Sequence, residues 1–199
     1  MPAEEFPEQL NLNPEPAVVD QSHFSLKHFW EYMRLILIGL VLYTTINLLV
    51  ARIKVESISM EPTLEPGDFL AVFRLAYQKE LPETGEIVVF RYPLDPDVQY
   101  IKRVIGTPGD SIFISNGSVF VNGTALTEAY LSSAPIYTYQ IEKIPEGYLF
   151  VLGDNRNRSA DSHVWGLVPV KNLVGKALFV YWPADRIQSF LENPLAADS

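Results

Sequence analysis

The chain has 199 residues, room for one domain with a substantial core but not for two of full size. Fifteen Lys and Arg against 24 Asp and Glu leave a formal net charge of −9, which argues against a nucleic-acid partner held by phosphate neutralisation. No cysteine is present, so disulfides, thiolate zinc sites and a cysteine nucleophile drop out together, and the three histidines (His23, His28 and His163) have no metal-ligand spacing.

In chain order, residues 1–34 carry Pro2, Pro7, Pro14 and Pro16 among scattered acids, a composition that buries too little apolar surface to order itself. A disordered acidic tail is expected over 1–34. Residues 35–51, LILIGLVLYTTINLLVA, contain no charge and are bounded by Arg34 on one side and by Arg52 and Lys54 on the other. As a helix this stretch rises roughly 25 Å, enough for a short membrane span, and an uncleaved transmembrane helix over 35–51 is expected, with a buried core helix as the alternative. Lys27 and Arg34 balance Arg52 and Lys54, so charge does not orient it.

From residue 52 to 199 the sequence becomes short β-rich runs separated by Gly, Pro and Asn. FLAVFR (69–74), EIVVFRY (86–92), QYIKRVI (99–105), SIFIS (111–115), SVFVN (118–122), YLFVL (148–152) and VGKALFVYW (174–182) read as strands. Asn116-Gly117 between two alternating runs predicts a hairpin with a type I′ turn. Asn116, Asn122 and Asn157 also open N-x-S/T sequons, which turn chemistry at the first two explains without glycosylation. The fold class expected is mainly β, a compact antiparallel sheet or barrel-like domain after one N-terminal helix.

Three stretches could carry chemistry. In VESISMEPTLEPGD (55–68), Ser57 and Ser59 share a face if the chain is extended, so one hydroxyl could attack a carbonyl while the other donates to the oxyanion. A serine nucleophile needs a base, and His163 and Lys102 are the candidates. Lys102 and Arg103 point to opposite faces of a strand, and of the two only the lysine can be neutralised by burial. With an ordinary pKa near 10.4 the neutral amine is disfavoured by about 4.6 kcal/mol at pH 7, while full burial moves a lysine down by about 3–5 pH units. The third stretch, GDNRNRSADSHVWGLVP (153–169), is dense in polar side chains between apolar strands, as an ordered support would be: Ser159 or Ser162 could meet a buried amine, while Asp154, Arg156 and Asp161 fix the loop.

SxSMxPTL followed by GD, then YIKRVIGxPGD, then GDNRxxSxDSxxWGxVP, in this order after an N-terminal anchor, resemble the type I signal peptidases, membrane-bound Ser–Lys endopeptidases. The wording SHVWG is similar to the cyanobacterial and thylakoidal branch. The resemblance implies a β-rich catalytic domain over 52–199 that removes signal peptides from preproteins after small-x-small (Ala-x-Ala) sites. It implies Ser59 as nucleophile, Lys102 as general base, and Ser57 with the Ser59 N–H as oxyanion hole. Ser159 would orient the lysine, Met60, Leu64 and Ile101 would line the substrate pocket, and Asp154, Arg103 and Asp161 would support the loop. No metal or cofactor is implied, and the partners are the signal peptide and the lipid bilayer, with no nucleic acid and a monomeric enzyme. The N-terminus is then cytoplasmic and the catalytic domain lies on the export side, at the periplasmic face of a plasma membrane or in a thylakoid lumen. Where many members have Arg, this chain has His163, and where many have Asp it has Asn157. A lipid-facing patch including Ile58, Phe69 and Phe73 is expected beside the site. Alternatives are a Ser59–His163 hydrolase and an inactive leader-binding module; a penicillin-binding-protein-like enzyme would need S-x-x-K, which does not occur.

Overall fold

The computed structural model describes residues 26–195. Helix α1 spans Leu26–Leu49, and its segment His28–Leu49 is long and apolar enough to cross a membrane. Leu35, Ile36, Leu37 and Leu40 on it are all more than half exposed, which removes the buried core helix as an alternative. The helix differs from the expected 35–51 at both ends. Lys27, Glu31 and Arg34 limit a hydrocarbon span but do not stop helical backbone, so residues 26–34 of the expected tail are helical; residues 1–25 lie outside the described residues. At the other end Val50 and Ala51 already pair as a strand. The chain divides into two units, the first ending at Val41 within α1 and the second running from Leu42 onward.

The second unit is antiparallel β. Strands β1 (Val50–Lys54), β2 (Phe69–Phe73), β3 (Ile87–Tyr92), β4 (Asp95–Gly106), β9 (Tyr148–Leu152), β10 (Val168–Pro169), β11 (Leu173–Trp182) and β12 (Gln188–Ser189) form one sheet in the order β1-β2-β11-β3-β4-β9-β10, with β12 on β11. Strands β5 (Ile112–Ser115), β6 (Ser118–Val121), β7 (Thr124–Ala125) and β8 (Tyr139–Ile141) form a second sheet in the order β7-β6-β5-β8. All seven expected strands are present, and the mainly antiparallel β class holds. The ladders of the large sheet follow an open path. β1 was not expected as a strand: its polar Arg52 and Lys54 flank the apolar helix, yet each residue from Val50 to Lys54 finds a partner on β2.

Where a strand is covered on both faces, apolar residues run without alternation. Ile87, Val88, Val89 and Phe90 of β3 are all buried, with Ile87 and Val89 joining one core cluster and Val88 and Phe90 another. β4 likewise sends Val104 to one cluster and Ile105 to a third, in which Ile112 and Ile114 of the small sheet pack with Phe150 of β9. The central strand that carries Lys102 is therefore held from both faces, a rigid platform for a site.

In the β5–β6 hairpin Asn116 and Gly117 have φ of 51° and 80°, the left-handed pair that a type I′ turn requires. A Gly117→Val substitution is expected to cost about 1–2 kcal/mol in a urea titration, since a β-branched residue resists that region. Ile58, Phe69 and Phe73 are each half-buried, so they are not absorbed into the core.

Candidate active site

Between β1 and β2 the chain makes a single 3₁₀ turn, Ile58–Met60, preceded by Ser57 in extended conformation. This corrects the expected strand geometry: the turn, not strand alternation, brings the two serine hydroxyls to 3.2 Å from each other. Lys102 reaches the same point from β4, and its Nζ donates a 2.5 Å hydrogen bond to Ser59 Oγ. Lys102 is 3% exposed, and burial lowers its pKa from the ordinary 10.5 to about 8, against the upward pull of the Asp161 and Asp154 carboxylates. The Tyr100 ring lies 5.5 Å from the amine.

Arg103, one residue on, faces the other way and serves a different end. Its Nε and Nη2 donate to the two carboxylate oxygens of Asp154 at 2.9 and 2.6 Å, and Nη1 donates to the Gly85 carbonyl. Thr63 Oγ1 donates to Asp154 as well, at 2.6 Å, tying the segment after Ser59 to the same carboxylate.

The loop 153–161 holds the 3₁₀ turn from behind. Asn155 donates its N–H to the Ser59 carbonyl at 3.0 Å and its side-chain amide to the Ile58 carbonyl at 3.2 Å. Gly153 permits this approach: a Cβ there would lie 2.3 Å from both the Ser59 carbonyl oxygen and Ser159 Oγ. Asp161 closes the loop by accepting from the Gly153 N–H at 2.9 Å, and it caps the short helix α2 (Ser162–Trp165). His163 Nδ1 lies 2.6 Å from Asp161 Oδ1, and its ring stacks on Tyr137 at 3.9 Å. Asn157, the third sequon, holds residues 134–136: its amide donates to the Ala134 carbonyl and its oxygen accepts from the Ile136 N–H.

A cleft of about 380 Å³ opens over Ser57, Ser59 and Lys102. One wall is the segment Ile53–Met60, the other is Val98–Ile101, with Arg158 and Ala160 at the loop side. Met60 and Ile101 line it, whereas Leu64 does not. Leu64 lies four residues beyond the turn, donates its N–H to the Met60 carbonyl, and buries its side chain completely in the core with Leu70 and Val72. Ser159 is a second correction. Its buried hydroxyl packs against Gly153 and has no hydrogen-bond partner, so it does not bond the lysine amine, which donates to Ser59.

Thr63, Asn155, Glu128 and Tyr130 were not singled out by the sequence. Asn155 and Thr63 lie inside recognisable polar motifs, so their neighbours were a usable signal; Glu128 and Tyr130 stand in an unremarkable connection and had none.

Residues 29–182 match the family described as signal peptidase, peptidase S26. The chain is 40% identical over 169 residues to the probable signal peptidase I-1 of Synechocystis sp., covering 79% of this chain and 86% of that one. It is also 40% identical over 166 residues to the signal peptidase I of Leptolyngbya laminosa, covering 79% and 81%. With the chloroplastic thylakoidal processing peptidase 1 of Arabidopsis thaliana it shares 38% identity over 152 residues, 71% of this chain and 45% of that one. A crystal structure of a signal peptidase I from Enterococcus faecalis aligns with a TM-score of 0.46 at 29% identity, covering 49% of this chain and 97% of the other. Similarity of this extent, spanning the helix and the whole large sheet as far as Trp182, means that the chain belongs to the signal peptidases of peptidase family S26.

Proposed function

We propose that this chain is a membrane-anchored signal peptidase I that cleaves preproteins after Ala-x-Ala sites with a Ser59–Lys102 dyad. The observation that carries this reading is the 2.5 Å hydrogen bond between Lys102 Nζ and Ser59 Oγ, made by a buried amine whose pKa burial lowers to about 8. Neutral Lys102 accepts the Ser59 hydroxyl proton as Oγ bonds to the scissile carbonyl carbon. The oxyanion is held by the Ser57 hydroxyl and the Ser59 N–H. The lysine ammonium then gives its proton to the leaving amine as the C–N bond breaks, leaving an ester on Ser59. Water, deprotonated by Lys102, attacks that ester; the acid product departs, and the proton returns to Ser59.

Met60 and Ile101 give the cleft apolar walls, in keeping with small side chains before the cleaved bond. The engagement of His163 with Asp161 and Tyr137 supports Lys102 over His163 as the base. In this reading α1 anchors the enzyme in the bilayer that also holds the signal peptide, which raises their effective concentration, and the β domain lies on the export side.

The test is cleavage of a membrane-embedded precursor ending its leader in Ala-x-Ala. Wild type should process it, should fail when the alanine before the bond is replaced by leucine, and Ser59→Ala should lose turnover entirely. Retained cleavage by Ser59→Ala would discard the dyad.

A further inference from the structure

The loop that locks the catalytic turn is itself held from outside by the connection between β7 and β8. This connection meets the loop and the short helix α2 that follows it at three places: Glu128 on Arg156, residues 134–136 on Asn157, and Tyr137 on His163. The first is the deepest. The Arg156 side chain is fully buried and that of Glu128 is 6% exposed, and Arg156 donates both Nη1, at 2.8 Å, and Nη2 to the carboxylate. Tyr130 adds a hydroxyl donor to Glu128 at 2.6 Å, while its ring lies 3.9 Å from the Arg103 guanidinium.

From Arg156 the contacts lead toward the reacting hydroxyl. Arg156 Nε donates to the Gly153 carbonyl at 3.2 Å, and Gly153 lies so near the Ser59 carbonyl that a Cβ there would not fit. Two residues later Asn155 donates its N–H to the Ser59 carbonyl. A guanidinium bound in this fork geometry admits little lateral play, since both ends of the carboxylate fix its plane. Glu128 touches neither Ser59 nor Lys102 in any of these contacts. Any effect it has on the reaction is therefore indirect, and the loop is the route that reaches Ser59 by hydrogen bonds.

We propose that Glu128 is a positioning residue for peptide cleavage: its carboxylate fixes Arg156, and through Gly153 and Asn155 this sets where Ser59 Oγ stands relative to Lys102 Nζ. The inference rests on the Ser59–Lys102 reading. Displacing a nucleophile by a fraction of an ångström lowers the rate of the bond-making step far more than it weakens binding across the rest of the cleft. The signature is therefore a fall in kcat at constant KM.

The experiment uses the full chain in detergent micelles and a synthetic peptide with an Ala-x-Ala leader end. The folded fraction is measured by near-UV circular dichroism, and kcat is expressed per folded molecule. Glu128→Gln keeps the volume but removes the charge, and should lower kcat by about ten- to a hundredfold with KM within about twofold. The neutral pair Glu128→Gln/Arg156→Gln should fall no further than the worse single variant, because both residues act along one path. A purely structural role would reduce the folded fraction and leave kcat per folded molecule unchanged, and that result overturns the proposal, as do losses that multiply in the pair. If Glu128→Gln alone fails to fold, the pair, which buries no uncompensated charge, decides: wild-type kcat in it overturns the proposal. Ser59→Ala in the same assay separates the two readings. If Ser59→Ala still turns over, the dyad fails; if it is inactive while Glu128→Gln works at the wild-type rate, only the positioning role fails.

Discussion

Lys102→Met is expected to lower kcat by about 10²–10⁴-fold and, at neutral pH, to make the protein more stable. Methionine fills nearly the volume of the lysine stem but cannot take the Ser59 proton. The stability gain follows from linkage. Lys102 has a pKa of about 8 in the folded protein against 10.5 ordinarily, so between those values the unfolded chain binds more protons and wild-type stability rises with pH. Below pH 8 both states are protonated, and the fold carries the full cost of an ammonium out of water, about 3 kcal/mol for a shift of this size. The same ionisation sets the pH–rate profile. Only the neutral amine is a base, so wild-type kcat/KM should climb with pH and level off above about 8. Thermal unfolding of wild type and Lys102→Met at pH 7 and above pH 10 is the check: the advantage of the variant should be large at the first and largely gone at the second. An advantage of equal size at both would mean that the lysine is not neutral in the fold.

How much of this was readable in advance differs between scaffold and site for physical reasons. Alternation and turn chemistry announce a strand when it stands between two turns, which is why the β5–β6 hairpin was legible to within one residue at its strand ends and its turn at Asn116-Gly117 to the residue. β1 alternates as well, but it follows α1 with no intervening turn, and its Arg52 and Lys54 read equally as the charged flank of a membrane helix. At the site, motif order identified the segments that meet, since Ser59, Lys102 and the 153–161 loop do converge. It did not say which way side chains leave a 3₁₀ turn, and Leu64, placed by motif in the cleft, points into the core. Ser159 shows the same limit: the loop is in place, but its hydroxyl is turned to Gly153. Glu128 lies 28 residues from Arg156 in sequence, and a lone glutamate in a connection carries no local pattern that would reveal a buried fork.

The partnership of Arg103 and Asp154 makes the other large prediction, because it combines stability with chemistry. Both side chains are buried, at 4% and 0% exposure, and the guanidinium stays protonated whatever its surroundings. Asp154→Asn preserves shape but turns an amide toward a cation that has only donors, and it removes the acceptor that Thr63 also uses. Leaving one partner of a buried pair uncompensated costs about 3–5 kcal/mol, and chemical denaturation should record a loss of that order. The folded molecules should also change their pH profile. The Asp154 carboxylate is one of the charges that raise the Lys102 pKa, and without it the unbalanced Arg103 cation on the adjoining residue opposes protonation of the amine further. The pH at which kcat/KM levels off should therefore move below about 8 in Asp154→Asn even as stability falls. A substitution that merely loosened the site would let water in and move that pH upward, toward the ordinary lysine value. The direction of the shift thus separates loss of a charge from loss of the fold around it.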